Sequence, residues 1–262
     1  MEVSQYVAEL RHQGAQLGDA AGLAGLDAAI PACGSWQVKD LLRHVGYIHR
    51  WAARHIDERP ANILAKPPEE EALRGGVADA DLLAWFRAGC SALATTMAAA
   101  NPDLKCATLI PAPSPLAFWA RRQAHETAVH RADAESAAGS MPSYPPEFAA
   151  DGIDELIMGF ARRRRYPGSH PMDADISRGL QVRASDTGDT WYLWPQDGRV
   201  QARRETAPED PVAAGDGTVS GLASAFYLFL WNRCTAEAAG VLVEGDPTFF
   251  GWWQARMRIR WG

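Results

Sequence analysis

The sequence predicts two domains, a larger all-α domain followed by a smaller α+β domain. In the first half of the 262 residues, apolar side chains recur at the three- and four-residue spacing of helices that bury one face. A Tyr-Pro-Gly break follows at residues 166–168. Beyond it, short alternating runs separated by Asp-Gly-type turns are typical of an antiparallel sheet. We therefore expect domains at residues 1–166 and 173–262, with a linker between them.

The helices of the first domain have recognisable starts and ends. Ser35 is the expected N-cap of the second helix, because a serine side chain accepts a hydrogen bond from the first turn. Ser114 and Pro115 form the same kind of start with proline at the first helical position, and Gly139 marks the end of that fourth helix. Four helices form a bundle, and a further helix follows them. The expected helices cover residues 4–17, 36–59, 79–100, 116–138 and 146–165.

The second domain is expected to contain a meander of short strands and two further helices. The alternating runs predict strands at 179–184, 190–194 and 200–203. An almost continuously apolar segment predicts a buried helix at 218–233. A last strand at 241–246 and a last helix at 247–258 complete the domain.

Composition and charge exclude several functional classes. The formal net charge of −6 argues against a nucleic acid partner. No apolar run approaches the roughly 20 residues of a membrane helix, and the N-terminus lacks the layout of a signal peptide. We therefore expect a cytoplasmic protein with no membrane partner, as a monomer or a dimer. The four cysteines form no Cys-x-x-Cys pair, so thiol chemistry would use a thiol supplied by a cofactor.

The most informative motif is a glutamate and a histidine, Glu126 and His130, four residues apart in the fourth helix. Residues at this spacing lie on one helical face, so the pair can hold one metal ion. His44 of the second helix offers a third ligand. Three such ligands leave one position open on a tetrahedral ion, as in catalytic sites. Zinc is the expected ion, and nickel, iron(II) and manganese suit the same ligands. Spacing alone leaves open an ordinary helical pair.

Two neighbouring histidines compete for the same role. His125 lies about 100° around the helix from Glu126, and His49 is related to His44 as His125 is to His130. Only one histidine of each pair can face a common centre. His44 follows the apolar stripe of its helix and is the better inward candidate. Asp133, three residues after His130, is either a partner that orients an imidazole or a surface carboxylate.

These segments resemble the mycothiol-dependent maleylpyruvate isomerase family. The resemblance rests on residues 35–45 and 125–135, and on residues 217–233 and 243–246 of the second domain. It implies a DinB-like four-helix bundle with a metal held by His44, Glu126 and His130. It also implies a sterol-carrier-protein-like second domain, in which Arg233 matches a catalytic arginine that binds the substrate. The alternative for Arg233 is a cation that favours the helix dipole.

The resemblance further implies a metal-dependent enzyme that activates a small-molecule thiol, mycothiol, as a thiolate. A divalent metal deprotonates a coordinated thiol, and the thiolate attacks an electrophilic small molecule. A thiol S-transferase leaves the thiol attached, whereas a maleylpyruvate-type cis–trans isomerase releases it again. The alternative is a non-enzymatic module with the same fold that binds a ligand or a metal.

Overall fold

A computed structural model of the chain describes residues 1–66, 76–161, 179–196, 199–206 and 217–245. The chain divides into two compact units, Met1–Pro142 and Ser143–Trp261. The predicted linker at residues 166–173 and the predicted last helix at 247–258 lie outside the described residues. Among the helices that are described, none is both long and apolar enough to cross a membrane.

The described part of the first unit contains four helices, as predicted. Helix α1 (Val3–Ala24) packs along α4 (Pro115–Ala137). Helix α2 (Val38–Glu58) packs on both α3 (Asp79–Ala99) and α4, and α3 also contacts α1. Most side chains of α4 are buried, so this helix carries its polar residues into the interior of the bundle.

The structure confirms the predicted start of α4 and shifts the start of α2. The Ser114 hydroxyl accepts a hydrogen bond from the Ala117 N–H at 3.1 Å, as the N-cap prediction requires. Helix α2 begins two residues later than expected, with Gln37 at the N-cap, whose N–H donates to the Asp40 carboxylate at 2.9 Å. Trp36 stays outside α2, and its backbone carbonyl accepts a hydrogen bond from the Ile30 N–H at 3.0 Å instead of from the helix.

Helices α2 and α3 approach closely at a glycine. The Arg50 guanidinium lies 3.8 Å from the centre of the Trp85 ring, and it donates hydrogen bonds to the backbone carbonyls of Gly46 and Trp85 at 2.8 and 2.9 Å. A Cβ atom at Gly46 would overlap the Trp85 ring. The absence of a side chain at position 46 is therefore what allows this contact.

We expect Gly46→Ala to destabilise the first unit. The overlap with Trp85 costs about 1–3 kcal/mol, which exceeds the roughly 1 kcal/mol that alanine gains over glycine in a helix. Gly22→Ala in α1 is the matched control, because its Cβ atom meets only Leu83 Cδ2 at 3.7 Å, and it should stabilise by about 0.5–1 kcal/mol. Denaturant titration measures both effects. Equal shifts in the two variants would contradict the overlap.

The second unit combines a five-stranded sheet with helices. The strands β1 (Leu180–Ala184), β2 (Asp189–Gln196) and β3 (Arg199–Thr206) form the antiparallel meander that the sequence predicts. Strand β4 (Gly217–Gly221) is parallel to β1, and β5 (Leu242–Gly245) is antiparallel to β4. The sheet order is β3-β2-β1-β4-β5, so the pairing is mostly antiparallel.

The predicted helix at 218–233 is wrong in its first third. Residues Gly217–Gly221 form β4, and helix α6 covers only Ala223–Leu230. Thr218 and Val219 are β-branched and pair with β1 opposite Gln181 and Val182. This long-range pairing outweighs the local apolar pattern that favours a helix.

The fifth predicted helix is grouped with the second unit, and the last four of its predicted residues, 162–165, lie outside the described residues. Helix α5 covers Pro146–Asp154 and continues as a π-helical turn, Glu155–Phe160. Its apolar face packs on α6, where the rings of Phe148 and Tyr227 have centroids 6.4 Å apart. Tyr144, just before α5, contacts the same tyrosine at 5.4 Å. These aromatic contacts explain the grouping.

Candidate metal centre

The structure brings His44, Glu126 and His130 together inside the first unit. His44 extends from α2, and Glu126 and His130 extend from consecutive turns of α4. Glu126 Oε1 lies 3.5 Å from Nε2 of each histidine. One ligand atom from each residue lies within 4.8 Å of the other two, and all three residues are buried. The two helices thus place three donor atoms around one point.

These distances and donor types fit a divalent cation. A separation of 3.5 Å is longer than an ordinary hydrogen bond. Ligand atoms about 2.0–2.1 Å from a tetrahedral zinc ion are roughly 3.4 Å from one another. Two imidazole nitrogens and one carboxylate oxygen suit zinc, as well as nickel, iron(II) and manganese. The three residues therefore match a three-ligand metal site in spacing and in chemistry.

Asp133 fixes the orientation of the His130 ring. Both side chains are fully buried, and His130 Nδ1–H donates to Asp133 Oδ2 at 2.8 Å. With the proton on Nδ1, the Nε2 lone pair faces the centre. Burial acts to lower the pKa of His130, but the hydrogen bond to Asp133 and the nearby carboxylate of Glu126 outweigh it and raise the pKa. Of the two roles that the sequence left open for Asp133, the buried hydrogen-bonded one is observed.

We expect Asp133→Asn to weaken metal binding about 10- to 100-fold without abolishing the fold. An asparagine amide can donate to Nδ1, which places the imidazole proton on Nε2, where it would block the lone pair. Glu135→Gln is the matched control, because Glu135 lies on the same helix and pairs with Arg131 outside the three-residue cluster. Competition titration with a zinc chelator measures both affinities. An equal loss in the two variants would contradict the orienting role.

Arg122 is a member of the site that the sequence pattern did not single out. It lies one turn before Glu126 on α4, and its Nη2 donates to Glu126 Oε2 at 3.2 Å. Burial acts to raise the pKa of Glu126, but the close approach of His130 and His44 and the charge of Arg122 hold the pKa well below its usual range. Glu126 is thus a buried carboxylate in its charged form. The four-residue spacing of an arginine and a glutamate was the available signal.

The two competing histidines lie outside the cluster. His49 Nε2 is 2.9 Å from the Thr127 hydroxyl, which donates to the Gln123 carbonyl at 2.7 Å. The His125 ring packs edge-on towards Tyr6 of α1, with centroids 6.4 Å apart. Both histidines are fully buried. The Trp36 ring lies against His44 at a centroid distance of 5.0 Å.

Arg233 lies in the second unit, just after α6. Its side chain is 8% exposed, and Nη1 donates to the Trp231 carbonyl at 2.7 Å. Its backbone N–H donates to the Leu228 carbonyl at 2.8 Å, which helps to end the helix. The catalytic role of Arg233 stays a prediction.

Comparison with known families identifies both units. Residues 7–135 match the family described as mycothiol maleylpyruvate isomerase N-terminal domain, and residues 147–250 match the C-terminal domain of the same family. The chain belongs to the mycothiol-dependent maleylpyruvate isomerase family. The resemblance noted in the sequence is therefore confirmed, over most of the chain.

Two crystal structures from this family have the same fold. One is a mycothiol-dependent maleylpyruvate isomerase, and the other is a variant of such an enzyme with one histidine replaced by alanine. Each has a TM-score of 0.62 and 12% sequence identity, and the similarity covers 94% of this chain and 95% of the other. No curated protein matches the sequence. The solved relatives are enzymes, and this chain shares their two-domain architecture.

Proposed function

We propose that this protein is a metal-dependent enzyme that activates mycothiol for attack on an electrophilic small molecule. The observation that carries the proposal is the buried set of His44, Glu126 and His130, whose donor atoms lie within 4.8 Å of one another. Membership of a family named for its mycothiol-dependent isomerase supports the choice of thiol. Small molecules are thus the proposed partners, namely the thiol and its electrophile.

Each residue of the site has a distinct part in this proposal. His44, Glu126 and His130 would hold the ion, which we propose to be zinc. Asp133 keeps the proton of His130 on Nδ1, so that Nε2 stays a lone-pair donor. When bound with an open position, a divalent ion supplies a positive charge that lowers the pKa of a thiol. Trp36 packs on His44, with ring centroids 5.0 Å apart.

The thiols of the chain itself are poor nucleophiles, which supports a thiol from outside. Burial raises the pKa of Cys90 and of Cys234 to about 11, and burial also raises the pKa of Cys106. At neutral pH these groups hold their protons, whereas the thiolate is the reactive form. None of the four cysteines, all of which the structure describes, forms a disulfide.

The proposed reaction begins with addition of the thiolate to an electrophilic carbon. In an isomerase, the sulfur adds to a cis double bond and the remaining carbon–carbon single bond rotates. Expulsion of the sulfur then restores the double bond in the trans form and returns the thiol. In an S-transferase, the carbon–sulfur bond is kept and the adduct takes up a proton. In either reaction, we propose that Arg233 binds an anionic group of the substrate.

The test follows the thiol and the product together. Zinc-loaded protein is incubated with mycothiol and maleylpyruvate, and free thiol and products are measured by mass spectrometry. Isomerisation with constant free thiol supports an isomerase. With maleylpyruvate or another electrophile, adduct formation that consumes one thiol per product supports a transferase. Metal-stripped protein is the control and should be inactive.

Two results would overturn the enzyme proposal. Purified protein that holds no divalent metal, and that gains none on incubation with zinc, would remove the basis for thiol activation. Binding of mycothiol without turnover of any tested electrophile would instead favour the non-enzymatic alternative, a module of the same fold that binds a ligand or a metal.

A further inference from the structure

The two carboxylate oxygens of Glu126 have different surroundings. Oε1 lies 3.5 Å from Nε2 of His44 and of His130. Oε2 accepts a hydrogen bond from Arg122 Nη2 at 3.2 Å. The side chains of Glu126 and Arg122 are only 7% and 6% exposed. One oxygen is thus available to an ion between the histidines, and the other is engaged by a buried guanidinium.

The buried charges around this point can be counted. Arg122 carries one positive charge at all accessible pH values. Glu126 pairs with Arg122 at 3.2 Å and Asp133 accepts a hydrogen bond from His130 at 2.8 Å, so each counts as a carboxylate with one negative charge, and histidines are neutral when they bind a metal. The protein groups therefore sum to −1. A divalent ion brings the sum to +1, and a bound thiolate brings it to zero. Without Arg122, the same ion and thiolate would leave a buried net charge of −1.

We infer that Arg122 is a positioning residue that prepares the centre for a thiolate, an inference that rests on the proposed function. By engaging Oε2, it keeps Glu126 a ligand through one oxygen and so leaves a coordination position open. By its charge, it makes a thiolate, rather than a neutral thiol, the ligand that neutralises the site. A buried charge without a partner is costly, so the neutral assembly is the favoured one.

A second ion pair on the same helix provides a matched control. Arg131 and Glu135 have the same four-residue spacing on α4 and form an ion pair. Arg131 also donates to Gln13 of α1 at 3.1 Å, and Glu135 is not part of the three-residue cluster. Arg131→Met therefore removes a comparable pair without changing a candidate ligand.

Two substitutions separate the charge of Arg122 from its hydrogen bond. Arg122→Met removes both, and Arg122→Gln removes the charge but keeps a donor for Oε2. Each variant, the wild type and Arg131→Met are loaded with Co²⁺, whose visible absorption reports coordination number. They are then titrated with 2-mercaptoethanol and with mycothiol, and the thiolate-to-cobalt band in the near ultraviolet reports binding.

We expect Arg122→Met to bind Co²⁺ at least as tightly as the wild type, because a cation that repels the ion is gone. Its visible absorption should weaken as the second oxygen of Glu126 joins the ion. Its affinity for both thiols should fall about tenfold or more, within the 10- to 100-fold range typical of residues that support metal ligands. Arg122→Gln should keep the wild-type spectrum but show the same fall in thiol affinity. Arg131→Met should match the wild type in both.

Three outcomes would overturn the inference. These are wild-type thiol affinity in Arg122→Gln, wild-type spectra and thiol affinity in Arg122→Met, or loss of Co²⁺ from a folded Arg122→Met. If Arg122→Met does not fold, Arg122→Gln alone decides the part played by charge. A wild-type protein that binds no Co²⁺ would instead contradict the proposed metal site itself, so the two failures are distinguishable.

Discussion

Alanine at His130 or at His44 is expected to lower the zinc affinity of the protein by more than 100-fold. Each substitution removes one of three donor atoms that meet at one point. Loss of a ligand costs more than the roughly 10- to 100-fold that follows loss of a residue supporting a ligand. Zinc content after dialysis and competition with a chelator measure the effect. The stabilisation that zinc gives to the wild type, about 4 kcal/mol at 1,000 times its dissociation constant, should fall to about 1.4 kcal/mol or less at the same zinc concentration.

The control for this prediction is His125→Ala. His125 is as fully buried as His130 and lies on the same helix, but its ring packs towards Tyr6. We expect this variant to be less stable than the wild type because it loses a buried side chain, and yet to keep wild-type zinc affinity. Equal loss of zinc from His125→Ala and His130→Ala would show that metal retention follows general stability. This result would contradict the proposed three-ligand metal site.

The second large effect is a loss of stability in mild acid that is traceable to His49. The ring is fully buried and donates from Nε2 to Thr127, and Nδ1 has no hydrogen-bond partner in the described part of the chain. Burial, opposed in part by the charge of Glu126, lowers the pKa of His49 from 6.5 to about 3. The unfolded chain therefore binds this proton at a higher pH than the folded chain does.

The sign of the effect follows from this difference. Above about pH 6.5, His49 is neutral in both states and its full contribution to stability is present. As the pH falls from 6.5 towards 3, protonation of the unfolded state lowers the free energy of unfolding by up to about 1.4 kcal/mol per pH unit. Between pH 6.5 and 4.5, His49 alone should thus account for a loss of about 2 kcal/mol.

Denaturant titrations of metal-free protein between pH 4.5 and 7.5 measure this slope. His49→Gln keeps a donor for Thr127, and His49→Phe does not, but neither side chain titrates. In both variants, the free energy of unfolding should depend less steeply on pH, by close to one proton taken up on unfolding. Their absolute stabilities differ. If the slope is the same in His49→Gln as in the wild type, the acid sensitivity comes from other groups.

Much of the fold and the three candidate ligands follow from local sequence signals. Ser114 and Pro115 specify where α4 begins, and the four-residue spacing of Glu126 and His130 specifies a shared face. The choice of His44 over His49 needed only the apolar stripe of α2. Each of these inferences depends on residues within two helical turns of one another, a range over which backbone geometry is nearly fixed.

The features that the sequence did not predict depend on contacts between distant segments. Strand β4 forms because residues 217–221 pair with β1, whereas the apolar run that follows them predicted one longer helix. The grouping of α5 with the second unit depends on rings that meet α6. The contact of His49 with Thr127 joins two helices. The role of Arg122 is not evident from the sequence for another reason. Its four-residue spacing from Glu126 is the same as that of an ordinary ion pair on a helix surface.

The packing of α2 against α4 also determines when the proposed metal site can form. His44 and the Glu126–His130 pair are separated in the chain by the whole of α3, so a growing chain releases His44 long before its partners exist. The three side chains come together only when the bundle has formed. Bringing such distant residues together costs chain entropy, and the contacts that offset this cost form only afterwards. For the proposed site, metal loading would therefore follow folding. Which ion the cell supplies at that stage, together with the rigid donor geometry, would govern selectivity.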